Sequence, residues 1–145
     1  MTAPTPDEPP ASRVLIDCPF VQTDLPRLRV LVDRYADREG LPAPRRGDFI
    51  VAVDAVASNA IEHAGGTGTL ILQRADGHLA CHIHDSGPGF TTDVVPPPAP
   101  GNGDLSAGRG LWIASLITDH LSITSDTNGS VVSLTMRLPH RSDPV

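Results

Sequence analysis

Three groups of residues in this chain have types and spacings that could do chemistry. Asp85-Ser86-Gly87-Pro88-Gly89-Phe90 follows an apolar run, Gly108-Arg109-Gly110-Leu111 stands where a helical pattern opens, and Asn59 lies upstream among small residues. The two glycine groups bracket a segment of Pro, Gly, Asn and Asp that ends on a helix N-terminus. Such a loop suits a phosphate: glycines let backbone amides come close, and a first helical turn offers unpaired N–H donors at a positive dipole end. Either glycine group alone is weak, because most glycine-rich turns bind nothing. Asn59 turns the pair into a set.

Two elements must position these residues. A helix is predicted from about Gly47-Asp48 to Ala64, with Phe49, Val53, Val56, Ala57, Ala60, Ile61 and Ala64 on one apolar arc toward the core. Ala52, Ala55, Asn59, Glu62 and His63 collect along one flank of that helix, while Asp54 and Ser58 point away. Small residues around a single Asn leave room for something to approach; an ordinary helix surface is the simpler reading of the wheel alone. Asp85 ends a strand in which Leu79, Cys81, Ile83 and Asp85 share a face. A carboxylate on an apolar face needs a partner, and a ligand amine would be one. His82 and His84 occupy the other face, and without a third ligand they read as a solvated strand surface rather than a metal site.

The remaining chain supplies a frame. Met1 to Pro10 is proline-rich and acidic without an apolar pattern, so residues 1–12 read as a disordered tail, and 140–145 as a second tail after the domain at 13–139. Val14 to Cys18 is a strand; a helix follows from Leu25 to Tyr35, with Asp24 as its cap and Gly40, Pro42 and Pro44 as its stop. After Gly65-Gly66-Thr67-Gly68 come strands Thr69–Arg74 and His78–His84, turned at Asp76-Gly77. Val94 to Asp104 reads as a lid or surface loop. Leu111 to about His120 is a helix expected to be well buried through Leu111, Trp112, Ile113, Leu116 and Ile117. Strands Leu121–Ser125 and Val131–Leu138 close the chain around Asn128-Gly129. The order predicts an α/β two-layer sandwich, a mixed, mainly antiparallel sheet covered on one face by three helices.

Composition narrows the function classes. At 145 residues and 39% apolar the chain makes one domain with a real core. A net charge of −6, with no basic cluster in sequence beyond Arg45-Arg46, argues against nucleic acid and anionic membrane as partners. No apolar run approaches the ~18 residues of a membrane span and no signal pattern opens the chain, so a cytoplasmic protein is expected. Cys18 and Cys81 lack zinc-ligand spacing and read as buried free thiols.

Asn59 in a helix, Asp85-x-Gly87-x-Gly89 after a strand, Gly108-x-Gly110-Leu111 opening a helix and Gly129-Ser130 in the last hairpin together resemble the Bergerat-type ATP-binding fold of gyrase and the histidine kinases. The leading strand and helix, and the run Asn59-Ala60-Ile61-Glu62-His63-Ala64, look most like the anti-sigma factor serine/threonine kinases within it. The resemblance spans roughly Val14 to Leu138. It implies ATP and Mg²⁺ as cofactors, with Asn59 holding Mg²⁺ through its amide oxygen. Asp85 would accept from the adenine amino group, with Gly87 admitting the base and Gly89 giving the lid its turn. Gly108 and Gly110 would present amides to the phosphates, with Arg109 and Leu111 beside them. Ser130 stands where Thr is usual and would join a water-mediated adenine contact; His63 matches a position often filled by His.

One departure bears on catalysis. The serine kinases place a general base four residues before Asn59, and this chain has Ala55 there, which removes assistance worth ~10²- to 10⁴-fold. Asp54 lies ~140° around the helix from Asn59, whereas Glu62 lies ~60° away. Glu62 reads first as a surface charge, next as a contact to the metal, and last as an unusual base. The resemblance therefore implies an ATP-binding regulator that phosphorylates an anti-sigma antagonist protein, sequesters a sigma factor, or both, with Leu25 to Tyr35 as the dimer face the family suggests. A non-catalytic switch, nucleotide-dependent or nucleotide-free, is the alternative that Ala55 raises. A detached histidine-kinase module fits the leading elements less well.

Overall fold

The computed structural model describes residues 12–63, 66–85, 106–126 and 129–139. The chain begins with strand β1 (Ser12–Val21), a 3-10 turn (Gln22–Asp24) and helix α1 (Leu25–Arg38). Helix α2 (Arg45–His63) and the hairpin β2 (Thr67–Ala75) and β3 (His78–Asp85) follow. Helix α3 (Ser106–Ile117) leads into the hairpin β4 (His120–Asp126) and β5 (Gly129–Arg137). The five strands order as β1-β2-β3-β5-β4.

Every pairing is antiparallel, so the sheet is simpler than the mixed one expected from sequence. Each strand meets its neighbour through a hairpin or through a connection that returns it in the opposite sense, and no parallel crossover is needed. Alternate residues point inward: Leu70 and Leu72, Leu79, Cys81 and Ile83, and Val132, Leu134 and Met136 are buried on one face. The same face takes Phe20, Leu28, Val32, Phe49, Val53 and Val56 from β1 and the helices. This is the two-layer α/β sandwich with helices on one side. Asp76 (φ 48°) and Gly77 (φ 79°) both adopt positive φ, which gives the β2–β3 hairpin the twist its strands require.

Several boundaries move, each for a local reason. β1 extends from Ser12 to Val21 because β2 offers a partner along that length, Ser12 against Ala75 and Val21 against Thr67; Ser12 thus belongs to the sheet, not the tail. Asp24 does not cap α1 with its side chain; its carboxylate accepts from Val21 N–H at 2.9 Å and closes the 3-10 turn instead. α1 ends where Gly40 takes φ 95°, with Leu41 N–H donating to Ala36 O and Gly40 N–H to Asp37 O, both at 3.0 Å. α2 starts at Arg45 rather than Gly47, and α3 five residues before Leu111. α3 ends at Ile117, leaving His120 to β4.

α3 is also less buried than expected. Leu111 and Ala114 are fully covered and Thr118 nearly so, but Ile113 is 37% and Leu116 62% exposed. The spacing of Leu111, Ala114 and Thr118 defines one narrow face, and α2 is what that face lies against. The tail residues 1–11 and 140–145, the lid segment and Ala64 lie outside the described residues.

Candidate functional site

The site grows from the end of the sheet where β3 stops and β5 starts. Asp85 sits opposite Ser130 in the β3–β5 ladder, and Ser130 is opposite Ser125 in the next ladder across. Strand alternation puts Asp85 on the inward face with Leu79, Cys81 and Ile83, as the sequence pattern required. Ser130 is 3% exposed, and its Oγ donates to Asp85 Oδ2 at 2.8 Å. Half-buried Asp85 therefore finds a protein donor, and the two residues singled out from distant stretches form one hydrogen-bonded pair.

Asn59 faces inward from α2, the helix that lies against β2, β3 and β5. Only 4% of it is exposed, and among the described residues neither Oδ1 nor Nδ2 has a hydrogen-bond partner. An amide buried without partners costs ~1–3 kcal/mol, so its presence needs a reason outside the packing. A carboxamide oxygen is a hard neutral donor that suits Mg²⁺, and its orphaned state fits that role.

The flank of small residues on α2 is occupied. Ala52 is fully buried, and a Cβ built on Gly110 would lie 3.9 Å from both the Cβ and the carbonyl oxygen of Ala55. What approaches Asn59's flank is α3, and Ala55 is where the two helices come close. This seam went unnoticed in the sequence because the glycines suggested phosphate first; the matching small residues on two helices were its signal. Starting at Ser106, α3 places Gly108 in the first turn, where N–H groups lack helical partners, while Gly110 N–H reaches back to the Ser106 carbonyl. Gly110 thus lies inside the helix, at ordinary contact distance from Ala55, with Leu111 buried just after it.

The carboxylates near Asn59 are unequal. Asp54 accepts from Arg29 at 2.9 Å, which ties it to α1 and away from the pocket. Glu62 is exposed at the end of α2. On the outer sheet face His82 Nδ1 meets Ser133 Oγ at 2.7 Å; His82 is half-buried and His84 exposed. Gly87 and Gly89 lie outside the described residues, as do the side chains of His63 and Arg109; Gly108 is described through its helical backbone alone.

The same fold occurs in other proteins. Residues 18–136 match the family model of the histidine kinase-like ATPase domain. Among solved structures, the catalytic domain of histidine kinase ThkA superposes with a TM-score of 0.54 at 17% identity, over 85% of this chain and 96% of that one. The mycobacterial sensor histidine kinase MprB gives 0.53 at 19% identity, over 86% of this chain and all of the other. Acinetobacter baumannii histidine kinase AdeS gives 0.52 at 12% identity, over 87% and 69%. No curated protein matches. Identities this low carry the fold alone, whereas the family model covers most of the chain and takes in Asn59, Asp85 and Ser130. The chain belongs to the histidine kinase-like ATPase family, the ATP-binding domains of the Bergerat type.

Proposed function

We propose that this protein is an ATP-binding regulator of the anti-sigma factor kinase type, which phosphorylates a Ser or Thr hydroxyl on an antagonist protein, captures a sigma factor, or does both. The observation that carries the nucleotide site is Asn59, buried with both amide atoms unpartnered. Asn59 would hold Mg²⁺, Asp85 with Ser130 would read the adenine amino group, and Gly108 would offer its amide to phosphate. ATP supplies the phosphoryl group when bound; the chain's part is to orient it and offset its charge. The leading β1 and α1, and the run from Asn59 to Ala64, support the anti-sigma subtype by resemblance.

Calorimetric titration with ATP, ADP and GTP, each with and without Mg²⁺, tests the pocket. Metal-dependent ATP binding, lost in Asn59→Ala and Asp85→Ala, is expected; no binding at millimolar nucleotide would sink this reading. Transfer is tested separately, by acid-stable phosphorylation of a candidate antagonist.

A specific observation favours the second reading, a non-catalytic switch. The position where a kinase of this type carries its base is Ala55, and α3 closes over it at Gly110. Ala55 carries no carboxylate, and α3 packs beside it at Gly110. In this reading nucleotide sets the α2–α3 seam, and with it the partner surface, without phosphoryl transfer. Robust phosphorylation of an antagonist by the unmodified chain would rule this out.

A further inference from the structure

The end of the sheet remote from Asp85 carries a second feature. β3 runs seven residue steps from Asp85 back to His78, roughly 23 Å at the usual strand rise. There a cleft of about 880 Å³ opens between the end of α1, the β2–β3 turn and the end of β5. Its lining holds four arginines, Arg13, Arg38, Arg74 and Arg137, against two carboxylates, Glu39 and Asp76, in a chain whose net charge is −6. No stretch of sequence hints at this, because the four come from β1, α1, β2 and β5.

The cluster is organised around Glu39, whose side chain is 11% exposed. Its Oε2 accepts from Arg13 at 2.6 Å, and Oε1 accepts from Arg74 at 3.1 Å, while Arg74 also donates to the Glu39 carbonyl. That fixes two guanidinium forks. Arg38 lies over the Tyr35 ring at 5.4 Å, and no salt bridge is made by the Arg38 or Arg137 guanidinium among the described residues, although Asp119, which accepts from the Arg137 N–H at 2.6 Å, also acts on the Arg137 charge. One carboxylate thus holds two guanidinium forks at the wall, and the two exposed arginines add further positive charge to the same cleft. Guanidinium groups converging from several directions match an acceptor with several oxygens, and phosphate offers more of these than a carboxylate does. The volume falls in the range of small-ligand sites.

We propose that this cleft binds a phosphate-bearing anion, either a free phosphate compound or a phosphorylated side chain of a partner. The site is independent of the nucleotide pocket and stands or falls without it. Amide NMR of the full chain, titrated without Mg²⁺, should show saturable shifts of Gly40 and Gly77, which line the cleft. The probes are inorganic pyrophosphate, a phosphoserine peptide and its unphosphorylated twin. Shifts with pyrophosphate alone assign a free compound, shifts with the phosphopeptide alone or more tightly assign a protein source, and the unphosphorylated peptide should do nothing. The double variant Arg38→Gln/Arg137→Gln should weaken binding about tenfold or more, since charge-assisted hydrogen bonds are lost. Absence of shifts at Gly40 and Gly77 with both phosphate probes, or affinity within about twofold in the double variant, would overturn the proposal.

Discussion

At the scale of single residues, Asn59 is where function and stability part company. Its amide is buried without a partner, a state that weakens the folded protein unless a ligand uses it. Asn59→Ala removes the orphaned donor and acceptor along with modest packing volume, so the two terms oppose each other. The nucleotide-free variant is expected to match the parent or exceed it by up to ~1–2 kcal/mol in urea denaturation, while losing Mg²⁺-dependent ATP binding. A loss of more than ~2 kcal/mol would mean that Asn59 is a packed core residue and not a waiting ligand group. His82 shows the same logic for a proton. Burial, helped by the neighbouring His84, holds its pKa below the ordinary histidine value. The unfolded chain therefore takes up that proton more readily than the folded one, and stability is full above the unfolded pKa, ~6.5, and declines as pH falls through it toward the lower folded value. Stability measured between pH 7.5 and 5 should fall, and His82→Gln should flatten the slope; an unchanged slope would show that other groups set it.

At the scale of elements, the α2–α3 seam decides how the site is closed. Gly110 lies inside a helix at ordinary contact distance from Ala55, so an added Cβ meets no obstruction. Gly110→Ala should raise stability by ~0.5–1 kcal/mol by helix propensity alone. Ala55→Glu should lower it, and the pair should be non-additive because the two residues touch. If Gly110→Ala destabilises by more than ~1 kcal/mol, the helices pack closer than 3.9 Å implies. Gly68 is the opposite case: its Cβ would fall 2.6 Å from the Phe20 ring, so here glycine is required by space. The sequence made part of this legible. Period-two alternation placed Asp85 on the inward face, and helical periodicity placed Asn59 on the small-residue flank of α2, since both signals are local; that this flank is buried at Asn59 came only with tertiary packing. The seam was hidden because two small residues on different helices acquire meaning only when tertiary packing brings them together. The early start of α3 was hidden too: glycine marks a helix boundary more often than an interior, and here Gly108 falls within the first turn and Gly110 beyond it. The arginine cleft shares this character, being assembled from four elements.

At the scale of the molecule, one sheet holds two poles apart while its inner face makes a continuous core. Asn59 and the Asp85–Ser130 pair belong to one pole, Glu39 and its arginines to the other, and the strands between them are buried through Leu72, Cys81, Ile83 and Leu134. The poles can communicate only if that core shifts, and a close-packed interior resists small displacements. Cys81 offers a probe of whether it does. It is fully buried on β3, between the two poles, and burial pushes its thiol far above the ordinary cysteine value. Cys18 on β1 is partly covered and shifted upward for the same reason, opposed by Arg27. Since the thiolate is the reacting species, Cys81 should label with a disulfide reagent only when the sheet opens, with Cys18 reacting first and slowly. The opening free energy from Cys81 labelling, measured in a Cys18→Ser background, should equal the global unfolding free energy from denaturant within ~1 kcal/mol. A value several kcal/mol smaller would reveal a sub-global opening of β3 and give the two poles a route of coupling; agreement would make the sheet a rigid spacer, with each pole free to be occupied on its own.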